Sequence, residues 1–561
     1  MNKSAWKWMM SACLLFGSMG PVALAAEETP AIEWGEQENL TMVPLREAVE
    51  SVGAYVKWNS EDQTAKVAYG DRVWTVRLND DRSDVNGEQL KLAAKAEFSK
   101  QGALVVPWEA VKQGLHVNAS WVNGSVVPDA SDWKTRASQF VAEWSKLAAQ
   151  PQAEADLQKW ITPELREATK KTTLLSHAKL LTGMFGFPTQ FVNAVMDDNG
   201  VHQNVSIVFK TDKGQMLPLE IRYNDQGLVD ELFFAMIGSG GYQAPAYDDA
   251  NAYKEENIVI GDGKFKLPGT LTVPAQGESP FPLVILVHGS GQNDRDESIG
   301  AGKMFRDMAV GLAQQGIATI RYEKRTREYP FQATAVPKFT VKEETIDDAL
   351  AAVKWAGQDK RVNKEHVYVL GHSQGGMLVP RLLAQDSEKT VRGAIIAAGP
   401  SGPLEDLMLT QMEGQLNRAQ EAGQPEQAIA QLEAQVNMWK QQLQLIKDEK
   451  YTADHYPQDL PLAMASWWFD FRNHYGGEIA KNQKIPLFII QGDNDVQVGK
   501  EHLEGWKEAL KNRKDVETKL YPKLNHIFVP SDKPSTGEEY FVPGNVPLDV
   551  INDVAKWVKS H

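Results

Sequence analysis

Cysteine is almost absent, since the 561 residues contain a single one, Cys13. Beyond that position the chain has no disulfide, no thiolate nucleophile and no cysteine-held metal, so core packing alone must stabilise it. Positive charge is in deficit, with 59 Lys and Arg against 74 Asp and Glu, a net charge of −15 and a pI near 5.3. A surface of that sign repels polyphosphate, which excludes sequence-independent nucleic-acid binding. Long apolar runs are missing as well; the stretch at residues 8–16 is too short to span a bilayer. The remaining composition, 42% hydrophobic and 24% charged, is that of ordinary globular protein. At about 150 residues per domain the length suggests three or four of them.

What is present begins with an export signature. Lys3 and Lys7 precede the apolar run and Ala23-Leu-Ala25 supplies a small-x-small site, so a signal peptide over residues 1–25 is expected, cleaved after Ala25 or Ala26. Lipid anchoring at Cys13 is the weaker alternative, because the apolar run continues past the cysteine.

Residues 27–128 contain an internal echo. Val43-Pro-Leu-Arg-Glu-Ala-Val, leading to Trp58, is answered by Val106-Pro-Trp-Glu-Ala-Val, leading to Trp121. Each copy predicts a short helix started by proline and ended by glycine, then a strand running to the tryptophan. The pattern resembles the copper amine oxidase N-terminal-like domain, an α+β module common in exported proteins of Gram-positive bacteria. That resemblance, with the signal peptide, implies a secreted or envelope-associated protein and a possible cell-wall association through the front of the chain. It implies no copper, because His116 is the single histidine of the module and a copper site needs several nitrogen ligands.

Residues 130–247 read as helices over 133–147, 157–171 and 174–181, followed by strands over 205–209, 217–223 and 228–234. This second α+β layer resembles the NTF2-like domains that precede some secreted hydrolases, and it carries no chemical constellation. Its last residues, 239–247, are rich in Gly, Ser and Pro and suit a linker.

From residue 250 to 561 the texture changes. Apolar strands over 267–273, 283–288, 318–322, 367–370, 393–398, 487–491 and 518–521 are separated by helices such as 304–315, 345–355 and 377–384. Such alternation predicts a doubly wound α/β sheet that presents its ligands at the strand C-termini. In it, Gly371-His-Ser-Gln-Gly375 joins a strand to a helix through a tight turn with Ser373 at the apex. Chance supplies roughly 0.2 such pentapeptides in a chain of this glycine content, so its partners must decide.

A serine hydroxyl needs a base to take its proton, and the base needs an acid to fix its tautomer. The strand over 487–491 runs into Gly492-Asp-Asn-Asp495, and the strand over 518–521 runs into Asn525-His526. Nucleophile, acid and base therefore follow in the order of an α/β-hydrolase, with His526 as base and either Asp495 or Asp493 as acid. The strand over 283–288 ends in Gly289-Ser-Gly291, a turn able to aim backbone N–H groups at an oxyanion; the amides of Ser290 and Gln374 are the expected donors. His288, Asp294, Arg295, Asp296 and Glu323 are expected to brace the fold.

Together, His288-Gly-Ser-Gly291 with Asp294-Arg-Asp-Glu297, Arg321-Tyr-Glu-Lys-Arg-Thr326, Gly371-His-Ser-Gln-Gly375, Gln491-Gly-Asp-Asn-Asp-Val-Gln-Val498 and Leu524-Asn-His-Ile-Phe528 resemble the secreted α/β-hydrolases of the serine esterase type, relatives of dienelactone hydrolases and S33-like hydrolases. The resemblance spans residues 255–561. It implies an α/β-hydrolase fold, cleavage of a small-molecule carboxylic ester through an acyl-enzyme, no metal or organic cofactor, and Asp495 as the acid. A peptidase or acyltransferase on the same triad, and a wall-binding protein with a vestigial hydrolase domain, are the competing readings. Residues 400–484, rich in Gln, Glu, Leu and Met, predict a helical lid from which Met412, Trp467 and Trp468 are candidates to face substrate. The sequence carries no signal for oligomeric state.

Overall fold

The computed structural model describes residues 40–150, 154–169, 173–234 and 241–561, together with 18–19 and 237–238. The expected cleavage after Ala25 or Ala26, and Cys13, lie outside the described residues. The chain forms two compact units divided after Phe234.

In the first unit the echoed segments take matching forms. Strands Met42–Pro44 and Leu104–Pro107 pair antiparallel, and each leads directly into a helix, Leu45–Glu50 and Trp108–Leu115. The first helix gives way to Gly53 in the left-handed region (φ 81°), as the pattern predicts. The second differs: Gly114 stays inside the helix, where a Cβ would overlap the buried ring of Trp74, and the turn falls at His116 (φ 55°). That glycine serves close packing, not chain reversal. A five-stranded antiparallel meander from Tyr55–Asn59 to Glu88–Lys91 lies between the two copies.

Further along the first unit, helix Trp133–Lys146 is capped by Asp132, whose side chain accepts from the Thr135 amide. The helix expected over 157–171 is instead two short ones, Glu154–Leu157 and Pro163–Ala168. Pro163 cannot continue a helix but can start one, and Thr162 caps it by accepting from the Leu165 amide. Four antiparallel strands follow, Pro188–Asp198, Gln203–Thr211, Met216–Tyr223 and Val229–Phe233, paired in sequence order. The first of these has no counterpart in the sequence reading.

The second unit is built on eight strands: β1 Tyr253–Ile260, β2 Leu267–Pro274, β3 Phe281–Val287, β4 Ala318–Tyr322, β5 Val362–His372, β6 Val391–Ala397, β7 Leu487–Gly492 and β8 Val516–Tyr521. Their order in the sheet is β1-β2-β4-β3-β5-β6-β7-β8. β2 pairs antiparallel with β1 and β4, and every other pairing is parallel. Helices α1 Met304–Gln314 and α6 Leu548–Ser560 cover one face, burying Met308, Leu312, Val554 and Trp557 against Val284, Leu370 and Ile395. Parallel strands send all their C-termini to one edge, so the loops after β3, β5, β7 and β8 emerge together there.

The lid region separates into α3 Leu404–Glu421 and α4 Glu426–Lys447, broken by Gly423 (φ 60°) and Pro425, followed by α5 Ala465–Phe471. Its own apolar cluster gathers Trp439, Ile446, Leu462 and Phe469.

Candidate active site

Ser373 sits between β5 and helix α2 Gln374–Gln385 with φ 53° and ψ −119°, a strained conformation for a residue with a Cβ. Two glycines make the turn possible. A Cβ on Gly371 would lie 2.5 Å from the Gly375 carbonyl, and one on Gly375 would lie 2.5 Å from the His288 carbonyl oxygen. The Ser373 amide donates to the Ala397 carbonyl at 2.9 Å, tying the turn to the end of β6. Its neighbours His372 and Gln374 are buried, whereas Ser373 itself is half-buried.

Of the two aspartates that the chain order leaves open, Asp495 is the one that lies against His526. His526 Nδ1 lies 2.8 Å from Asp495 Oδ2, with both side chains almost wholly buried. The other oxygen of Asp495 accepts from the amides of Gln497 and Val498, each at 2.8 Å, and Gln491 Nε2 donates to Oδ2 at 2.9 Å. The carboxylate is thus aimed by four donors. Asp493, left open by the residues, is exposed and accepts instead from the Lys523 amide at 2.6 Å, where it closes the turn after β8. Asn525 shapes the histidine loop by accepting from the amides of Ile527 and Val529. No hydrogen bond joins Ser373 to His526.

Among the described residues the amides of Ser290 and Gln374 have no acceptor; Gln374 opens helix α2, where the first N–H groups have no intrahelical partner and the helix dipole favours negative charge. The turn bearing Ser290 is pinned from below. Glu297 Oε1 accepts from the Gly289 amide at 2.6 Å, and Glu297 Oε2 lies 3.1 Å from His372 Nδ1. His372 Nε2 donates to the His526 carbonyl at 2.9 Å. Burial alone would lower the pKa of His372, but the Glu297 carboxylate and that carbonyl outweigh it and raise the pKa above its ordinary value. Burial acts the other way on Glu297, which His372 holds below the usual carboxylate range. A buried ion pair therefore fastens the turn after β3, the nucleophile turn and the histidine loop to one another.

A second buried pair supports the same turn from the other side. Lys324 Nζ donates to the Gly289 carbonyl at 2.7 Å and lies 3.1 Å from Glu344 Oε1. Glu344 Oε2 accepts from Gln374 Nε2 at 3.1 Å and from Trp467 Nε1 at 2.7 Å. Glu344 belongs to a single π-helical turn, Lys342–Ile346, of the kind often found at functional sites. The helix expected over 345–355 accordingly becomes this turn followed by Asp347–Ala356. Among the lid candidates, Trp467 is buried and spent on Glu344, whereas Met412 and Trp468 pack onto the lid's own apolar cluster.

The bracing residues behave as their charges suggest. Arg295 pairs with Glu323 at 2.8 Å, and Asp296 pairs with Lys303 at 3.0 Å and with Arg321. His288 donates to the Asp294 carbonyl, and burial pushes its pKa down to about 4. Sequence reasoning passed over Glu344, Lys324, Glu297, His372 and Gln491 as functional residues. Gln491, at the very end of a buried strand, and Glu297, just past the glycine turn, carried a positional signal; Glu344 carried none.

A model of the α/β-hydrolase fold matches residues 282–532, and one of the copper amine oxidase N-terminal domain matches residues 22–127. The chain is similar to the esterase EstD of Thermotoga maritima, 35% identical over 353 residues that make up 63% of this chain and 79% of that protein. It belongs to the esterase family of α/β-hydrolases and is a carboxylic ester hydrolase. Among solved structures, an esterase of Pyrococcus furiosus aligns with a TM-score of 0.34 at 17% identity, covering 55% of this chain and 91% of its own. Est1E from Butyrivibrio proteoclasticus aligns with a TM-score of 0.31 at 16% identity, covering 54% and 99%.

Proposed function

We propose that this enzyme hydrolyses small carboxylic esters through a Ser373, His526 and Asp495 triad and an acyl-enzyme intermediate. Ser373 Oγ attacks the acyl carbon as its proton passes to His526 Nε2. Asp495 holds the Nδ1–H tautomer and stabilises the imidazolium, and the amides of Ser290 and Gln374 receive the oxyanion. Collapse of the tetrahedral adduct expels the alcohol, which takes the proton from His526. Water then repeats the sequence on the acyl-serine. The buried 2.8 Å contact between His526 and Asp495, on the same sheet edge as Ser373, is the observation that carries this reading. It needs no metal or organic cofactor.

On the strength of the residue 1–25 signal alone, we place the enzyme outside the cytoplasm, secreted or held in the envelope. Replacing Ser373 by Ala tests the mechanism. Turnover of short p-nitrophenyl esters is expected to fall on the order of 10⁴ to 10⁶ in kcat with the fold intact, and retention of most activity sinks the assignment. Aminoacyl-anilide and acyl-transfer substrates run alongside the esters separate esterase from peptidase and acyltransferase.

A further inference from the structure

His372 and Glu297 are each 1% exposed and lie against the turn that carries Ser290. A Cβ added to Gly289 would be 3.0 Å from Ser373 Cβ, 3.1 Å from Glu297 Oε1 and 3.5 Å from His372 Nδ1, so the pair meets the nucleophile turn and the oxyanion turn at one point. We infer that His372 is a positioning residue that works only as an imidazolium paired with the Glu297 carboxylate, and that loss of its Nδ1 proton sets an alkaline limit on catalysis. The inference deepens the mechanism proposed above and rests on it.

The proton count follows from what the two ring nitrogens face. Nε2 meets the His526 carbonyl at 2.9 Å, a group that only accepts, so Nε2 carries a proton. Nδ1 meets Glu297 Oε2 at 3.1 Å, and neither atom has a hydrogen-bond partner elsewhere among the described residues. A bare nitrogen lone pair set against a carboxylate oxygen in a dry site is repulsive and leaves both atoms unsatisfied, so a proton belongs between them. Glu297 Oε1 accepts from the Gly289 amide at 2.6 Å, as a charged carboxylate does. The chain holds Glu297 there at a backbone cost, with φ 49° in the left-handed region.

The surrounding charges agree. Burial pushes the His372 pKa down, but Glu297, the His526 carbonyl and Asp495 of the loop after β7 together raise it above its ordinary value. His288, at the end of β3, adds no competing cation, because burial pushes its pKa down to about 4. The His526 ring centroid is 4.6 Å from that of His372; its charge arises only during the reaction and is balanced by Asp495. As the pH rises through the folded pKa of His372, Nδ1 loses its proton while Nε2 still holds the His526 carbonyl. Glu297 then faces a lone pair, and its grip on the Gly289 amide beside Ser290 is disturbed. One oxyanion donor is worth about 10² to 10³ in kcat, so kcat falls while KM does not. The sign for stability is the same: the contribution of the pair is complete below the ordinary 6.5 and is lost as the pH rises through the raised folded pKa.

The test compares kcat and KM for a p-nitrophenyl ester in the parent and in Glu297→Gln from about pH 6 to 10.5. Near-ultraviolet circular dichroism follows the fold, and Ser373→Ala supplies the background rate. A glutamine at this position accepts from the Gly289 amide and donates to an unprotonated Nδ1, so it keeps both contacts without the added proton. The parent kcat is expected to fall tenfold or more on the alkaline side with KM within about twofold. Glu297→Gln is expected to start about two- to fivefold lower near neutrality and to show no such fall. A parent kcat that stays level to the alkaline end, a fall shared by Glu297→Gln, or a fall carried by KM overturns the inference. Should Glu297→Gln fail to fold, ¹⁵N-histidine NMR of the parent near pH 7 decides, with His372 identified by its loss in His372→Gln: an imidazolium upholds the inference and a neutral ring overturns it. That spectrum reads the proton whichever residue is the nucleophile, whereas activity surviving in Ser373→Ala sinks the triad and not the proton count.

Discussion

Removing the Glu344 carboxylate puts the energetics of the site to a direct test. Glu344→Ala strands Lys324, whose side chain is 2% exposed, with the Gly289 carbonyl as its remaining partner, and frees the donors of Gln374 and Trp467. An uncompensated buried cation of this kind costs about 3 to 5 kcal/mol. In urea, at an m-value of about 3 kcal/mol/M, the transition of the hydrolase unit should move down by about 1 to 2 M. Lys324→Met combined with Glu344→Leu leaves no buried charge and is expected to recover most of that stability. Activity should not return with it, because the Gly289 carbonyl loses its ammonium anchor and Gln374 its side-chain tether; kcat on a p-nitrophenyl ester should stay down by about 10². Fluorescence-monitored urea titration and steady-state kinetics on the parent and these two variants read both quantities. A Glu344→Ala chain within about 1 kcal/mol of the parent, or a double variant with full kcat, refutes the reasoning.

Asp495→Asn removes the acceptor for the His526 tautomer and should lower kcat on the order of 10⁴, whereas Asp493→Asn, on an exposed turn, should leave kcat within about twofold. Equal losses in the two would reassign the acid. His288 predicts a pH effect on stability. Its folded pKa of about 4 lies below its ordinary 6.5, so its contribution is complete above pH 6.5 and is lost as the pH falls towards 4, because the unfolded chain takes up the proton first. The gap corresponds to about 3 kcal/mol, so the parent should lose that much relative to His288→Gln between those pH values, and parallel stability curves would count against it.

The sequence by itself determined the strand–helix alternation of residues 250–561, the turn at Ser373 and the order of Ser373, Asp495 and His526. These are legible because they depend on local chemistry: β-branched runs bury on both faces of a parallel sheet, and only glycine fits at Gly371 and Gly375. Strand β1, with Glu255 and Glu256 at its exposed edge, lacks the apolar pattern and is recruited by pairing with β2. Gly114 reads as a helix stop until Trp74 is known to lie beneath it. Which aspartate of the loop after β7 lies against His526, and the convergence of Glu297, His372, Lys324 and Glu344 on one glycine turn, are visible only in the tertiary structure. Those contacts join residues far apart in the chain, as with Glu344 and Trp467, separated by 123 positions, and no periodicity encodes them. Burial is what turns such charges into supports, by stripping away the water that would otherwise satisfy each one alone.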